Sequence, residues 1–166
     1  WYYEYGMRSG VYVSRSATMT GSADPNATGF FVAQTAITGL QPDTQYFYRI
    51  QSRVAGSTGA FTPGVEGRFR TQRRPGSTFV FGVQGDSHPE RERQMFHPVL
   101  YSQTLSAMAR EGPDFYVTSG DDFSVDTLPT PYTRTAVAGR YTLQLPYFSA
   151  FGVPLFLGTG NHEETA

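Results

Sequence analysis

Five side chains able to bind metal or move a proton follow three short apolar runs. Phe79-Val80-Phe81-Gly82-Val83 leads into Gly85-Asp86-Ser87-His88. Phe115-Tyr116-Val117-Thr118 leads into Gly120-Asp121-Asp122, and Val153-Pro154-Leu155-Phe156-Leu157 into Gly160-Asn161-His162-Glu163. Carboxylate, imidazole and amide oxygen are ligands for hard or borderline divalent ions such as Zn, Mn, Fe or Mg. In an Asp-x-His pair on extended backbone the two side chains point the same way, so Asp86 and His88 can reach one ion. A carboxylate from a second strand end, Asp121, can bridge two ions, the arrangement used on phosphate esters. Asn161 then serves the second ion, and His162 is placed to protonate a leaving-group oxygen.

Plainer roles exist for the same residues. Asp86 can cap the helix that follows, and Asp121 can be a turn aspartate. Asp122 is expected to be solvated or to support a ligand, and Glu163 to orient a neighbour or cap a turn. Arg91 and Arg93 lie within reach of a substrate phosphate but fit a solvated helix start better. His97 is expected on a helix surface, away from the other histidines. The joint order of the three motifs, rather than any one of them, favours metal binding.

For the motifs to meet, the three runs must be neighbouring parallel strands. Phe96, Val99, Leu100, Gln103, Ala107 and Met108 fall at helical spacing up to Glu111, and Gly112-Pro113 ends that helix. A strand, a helix and a strand in succession form a βαβ unit with a right-handed crossover. A second helix is expected from about Thr133 to Phe151, broken or kinked at Pro146. Ligands of such sheets sit outside the carboxyl ends of the strands, where all five residues fall.

The chain before about Arg74 reads differently. Trp1–Tyr5, Val11–Arg15, Phe30–Ile37, Gln45–Ser52 and Gly67–Thr71 are strand-like runs separated by polar turns, one of them Ser22–Thr28. In Leu40-Gln41-Pro42-Asp43-Thr44-Gln45-Tyr46, Tyr46 is placed to bond back to the turn backbone, as in a tyrosine corner. An all-β sandwich is expected here, incomplete because about five strands are visible where about seven are needed. Asn26-Ala27-Thr28 fits the glycan acceptor rule. The linker is Thr71–Gly76, giving domains at 1–74 and 75–166.

Composition narrows the classes. At 166 residues, 39% hydrophobic and 16% charged, the chain has the profile of a folded globular protein. The net charge of -1 and the absence of a basic run exclude nucleic acid as an expected partner. No apolar run is long enough for a membrane span. All 13 basic residues are arginine, and cysteine is absent, which removes thiol and cysteine-metal chemistry.

The motifs Asp86-Ser87-His88, Gly120-Asp121-Asp122 and Gly160-Asn161-His162-Glu163 resemble the calcineurin-like metallophosphoesterase superfamily, in family order and at family-like separations. The Leu40–Arg49 stretch resembles a fibronectin type III domain, and also the small sandwich ahead of the catalytic domain in purple-acid-phosphatase-like enzymes. The resemblance implies a fibronectin III-like sandwich followed by the first half of an αββα metallophosphoesterase domain. It implies Asp86 and His88 on a first metal, Asp121 bridging, Asn161 on a second, and His162 assisting the leaving group. The implied activity is hydrolysis of phosphate mono- or diesters by a metal-activated hydroxide, with two divalent ions (Zn, Mn or Fe) and a small phosphate-ester substrate. The implied location is secreted or periplasmic. The alternative is a non-catalytic structural or adhesive protein that keeps the fold.

Two departures qualify it. Purple acid phosphatases carry glycine where His88 stands and tyrosine where Ser124 stands, so no tyrosinate–iron site is expected; the aspartate common at the Ser124 position is also absent. The family's later histidines, including a Gly-His-x-His motif, do not occur before the chain ends. The sequence therefore reads as part of a longer enzyme, cut at both ends.

Overall fold

The computed structural model describes residues 1–21 and 32–164. The chain divides into two compact units, the first running to Thr78 and the second from Phe79 onward. The strand expectations at Phe30 and Phe31, the turn at Ser22–Thr28 and the Asn26 acceptor tripeptide lie outside the described residues.

In the first unit the aromatic runs pair as one antiparallel sheet. Its strands are β1 (Tyr2–Gly6), β2 (Ser14–Arg15), β3 (Gln45–Ser52), β4 (Thr62–Pro63) and β5 (Gly67–Arg70). The order is β2-β1-β3-β4, with β5 also pairing to β3. Alternate residues of β3 share a face, so Tyr46 and Tyr48 both meet Phe69 of β5, at ring distances of 5.6 and 5.8 Å. Tyr3 of β1 meets Tyr48 at 5.9 Å. The Tyr46 hydroxyl accepts the Gln41 backbone N–H at 3.0 Å, the back-bond that the sequence suggested.

The rest of this unit departs from expectation. Val32–Ile37 forms no strand, and Val11–Arg15 contracts to Ser14–Arg15, with Val11 held only by an isolated bridge to Arg8. Among the described residues there is a single sheet, so a two-layer sandwich is not confirmed. Val32, Gln34 and Ala36 are exposed and Ala33, Thr35 and Ile37 half-buried, so the run alternates as a strand would but pairs with none among the described residues.

The second unit contains β6 (Phe81–Gln84), α1 (Pro98–Arg110), β7 (Phe115–Thr118), α2 (Arg134–Phe148) and β8 (Leu155–Leu157). Its three strands are parallel, in the order β6-β7-β8. Gln84 pairs with Thr118, and Thr118 with Leu157, so the carboxyl ends of all three strands lie level. Leu105 of α1, Tyr116 of β7, Phe148 at the end of α2, and Phe151 and Val153 after it form the core; the Tyr116 and Phe151 rings stack at 4.0 Å. Tyr101 and Tyr147 pack around it. Phe81 and Val83 alternate with buried Gly82 and are about half exposed, and Phe79, Phe81 and Phe115 stack in series.

Two caps set the helices. His97 is not in α1 but precedes it, accepting the Leu100 N–H on Nδ1 at 3.4 Å. Thr133 caps α2 by accepting the Ala136 N–H. Pro146 neither breaks nor ends α2, which runs two residues further and passes into a 3-10 turn at Ser149–Phe151. The proline lacks the N–H that would bond back to the Thr142 carbonyl, so α2 passes it one backbone bond short. Among the described residues no helix is long and apolar enough to cross a membrane.

Candidate functional site

Three loops leave the level strand ends and fold against one another. The Asp86 N–H donates to the Gly120 carbonyl at 3.2 Å, joining the first loop to the second. A side chain on Gly120 would strike Thr159 and Gly160 backbone atoms, and one on Gly160 would strike Asp121. Gly120 also has φ 95°. Glycine at both positions is thus a condition of the second and third loops touching. Asp86, His88 and Asp121, three of the five proposed site residues, have left-handed backbones with φ of 57°, 43° and 56°. For non-glycine residues such conformations cost on the order of 1–3 kcal/mol each and cluster at functional sites.

His88 is 1% exposed and Asp86 is 80% exposed, although they are two residues apart. Left-handed backbone at both accounts for this: the pair is not on extended strand, and its side chains reach one another from a turn. His88 Nε2 lies 3.9 Å from Asp86 Oδ1. The other ring nitrogen, Nδ1, is 3.2 Å from Glu90 Oε1 and 3.1 Å from Ser124 Oγ. A carboxylate only accepts, so the contact with Glu90 assigns the proton to Nδ1 and leaves Nε2 as the basic nitrogen facing Asp86. Glu90 also accepts the Ser124 N–H at 2.9 Å, and Arg91 Nη2 donates to Ser124 Oγ at 2.6 Å. Asp86 is therefore not a helix cap, and Arg91 is not simply a solvated helix start.

Asp121 and His162 are joined through backbone: the His162 N–H donates to Asp121 Oδ1 at 2.9 Å. The His162 and His88 rings meet edge to face at 5.0 Å. His162 Nδ1 lies 2.9 Å from Asp126 Oδ2. Partial desolvation pushes the Asp126 carboxyl up, but the bond and charge of His162, with Arg91 and Ser124 nearby, hold it below the usual carboxylate value. Asn161 is exposed on the turn beside His162. Glu163 accepts N–H groups of Asp121 (2.8 Å), Asp122 (2.5 Å), Phe123 (3.3 Å) and Gly160 (2.7 Å). That carboxylate staples the third loop to the second.

Asp122 is buried, 3% exposed, rather than solvated. Burial pushes its carboxyl up, against hydrogen bonds from Thr118 and Gln84 that favour the charged form. Gln84 Nε2 donates to Asp122 Oδ1 at 3.3 Å and contacts the Tyr101 hydroxyl at 2.5 Å.

Glu90 and Asp126 did not emerge from the sequence as site residues. Glu90 follows His88 by two residues, and that nearness was a usable signal. Asp126 meets His162 across 36 residues, and no spacing rule marks it.

Among the described residues, no group of three or more His, Asp or Glu side chains is placed closely enough to hold an ion. The donor types nevertheless fit one. Two donors on a single ion, each about 2.0–2.2 Å from it, lie roughly 3–3.5 Å apart; Asp86 and His88 at 3.9 Å are close to that. A ring nitrogen held by Glu90 behind the opposite, basic nitrogen is also how metal-binding histidines are oriented.

No family model and no curated protein matches the chain. Among solved structures, a purple acid phosphatase isolated from yellow lupin (Lupinus luteus) seeds matches with a TM-score of 0.59 at 16% identity. The match covers 99% of this chain and 31% of that one, so the chain spans under a third of the length of its structural neighbour. At this identity the likeness establishes a shared fold.

Proposed function

We propose that the chain contributes to metal-dependent hydrolysis of phosphate mono- or diesters. The observation that carries the reading is the meeting of Asp86, His88, Asp121 and His162 on loops from three level parallel strands. The fold shared with a phosphatase supports it. We read the second unit as the first half of a metallophosphoesterase domain, and the first unit as a small β domain preceding it.

Asp86 and His88 would hold one divalent ion, Asp121 would bridge, and Asn161 would serve a second; the ion could be Zn, Mn or Fe. Bound ions of this kind supply Lewis-acid charge at phosphoryl oxygens and acidify water. The chain's own residues do the rest. Glu90 and Ser124 keep His88 Nε2 turned toward Asp86. Glu163 fixes the backbone that carries Asp121. Asp126 orients His162 through Nδ1, so that Nε2 can hold a proton for a leaving-group oxygen. A secreted or periplasmic location belongs to the same reading and is tested by cell fractionation.

The direct test is Asp121→Ala. It should abolish hydrolysis of p-nitrophenyl phosphate and reduce retained metal; undiminished hydrolysis would sink the proposal.

A further inference from the structure

Gln144 lies one turn before the end of α2, outside all three motifs, yet it is 0% exposed. A fully buried amide on a helix otherwise supplying core needs a reason, because burying polar groups is unfavourable unless they are paired. Its Nε2 donates to Ser87 Oγ at 2.5 Å and to the Asp122 carbonyl oxygen. A carbonyl can only accept, so the amide must face this way round and cannot be flipped. Ser87 Oγ in turn lies 3.3 Å from Asp122 Oδ1. Gln84, the last residue of β6, donates to the same carboxylate, and the Tyr116 hydroxyl from β7 donates to Gln84 Oε1 at 3.3 Å.

Ser87 sits between Asp86 and His88, and Asp122 follows Asp121. One amide therefore ties together the two loops that would carry the first ion and the bridging carboxylate, and anchors both to α2. Gln144 and Ser87 touch none of the proposed reacting atoms.

We infer that Gln144, acting through Ser87 and the Asp122 backbone, is a positioning residue that sets the spacing between the Asp86–His88 loop and the Asp121 loop. The inference rests on the metal-site reading for its consequence, though not for the tie itself. An apolar residue of the same size would fill the space but bond neither loop. What the amide adds is a side-chain tie, anchored on α2, between two loops that the Asp86 N–H and Gly120 carbonyl already join through backbone.

The test uses the purified protein with Gln144→Met, Ser87→Ala and the double variant. Mn²⁺ alone is the probe, its affinity read by isothermal titration, while hydrogen exchange on the metal-free protein reports the two loops. Each single change should weaken Mn²⁺ binding about tenfold, as loss of residues supporting metal ligands does. The double variant should be no weaker than the worse single one, since both changes cut one tie. Exchange at Asp86 and at Asp121–Phe123 should rise together in each variant. Unchanged affinity and exchange in a folded Gln144→Met protein would overturn the inference, as would effects that multiply in the double variant. Should Gln144→Met fail to fold, Ser87→Ala decides by the same criteria. If the parent protein binds no Mn²⁺, the metal reading fails, and exchange alone judges the tie.

Discussion

His162 and Glu163 are adjacent and do different work. His162 reaches Asp126, and Glu163 turns back to collect backbone N–H groups from two loops. Asp126→Asn keeps the shape but removes the charge and allows the amide to present an N–H to His162. On the proposed reading, in which the group serves proton transfer rather than binding, kcat for phosphate-ester hydrolysis should fall at least tenfold with little change in KM. Steady-state kinetics on p-nitrophenyl phosphate checks this. Glu163→Ala leaves several loop N–H groups without their acceptor, at roughly 1–3 kcal/mol for each one that stays buried. Urea unfolding should show that loss, and Glu163→Gln, which keeps one acceptor oxygen, should lose less. At this scale the metal-ligating types were legible because aspartate, histidine and asparagine ended apolar runs. Asp122 was misjudged in part, since nothing local distinguishes a buried carboxylate from a solvated one. Its side chain and backbone are met by Gln84, Ser87 and Gln144, which the fold brings from β6, the loop after it and α2.

Elements were legible where periodicity met packing. β3, β7, α1 and α2 stand close to where spacing put them, because each buries a face against aromatic or aliphatic partners. Val32–Ile37 has strand composition and a half-buried face at Ala33, Thr35 and Ile37, but it pairs with no strand among the described residues. Pro146 predicts a break or a kink, yet α2 continues past it to Phe148, which lies in the core. In the first unit, Glu66 joins distant segments by accepting from Ser9 Oγ (2.6 Å), the Gly10 N–H (2.8 Å) and the Tyr12 hydroxyl. The Ser9 and Tyr12 hydroxyls, in that order, hold its carboxyl below the ordinary value of 4.5. A lowered folded pKa means that the stabilisation is complete above 4.5 and is lost as pH falls through the folded value. The first unit's melting temperature should thus drop below pH 4.5, and Glu66→Gln should flatten that drop; an identical acid profile would refute the role. The second-unit loops depend on Gly160. Gly160→Ala would push into Asp121, and we expect at least a tenfold loss of activity with the sheet intact by circular dichroism.

For the whole molecule, the parallel order of β6, β7 and β8 is what turns three weak motifs into one site. Each motif alone is common, and their meeting requires level strand ends, which the pairing of Gln84, Thr118 and Leu157 supplies. That much followed from reading the second unit as strand, helix, strand, helix, strand. The first unit was less legible: its single described sheet does not settle a sandwich, since a second layer cannot be inferred from strand count alone. Elemental analysis of the purified protein beside Asp86→Ala and Asp121→Ala, after dialysis against Mn²⁺ or Zn²⁺, tests the central claim most directly. Bound divalent metal is expected in the parent protein, with loss from both variants and a parallel loss of phosphate-ester hydrolysis. A folded parent protein that retains no metal, or variants that retain as much as the parent, would contradict it.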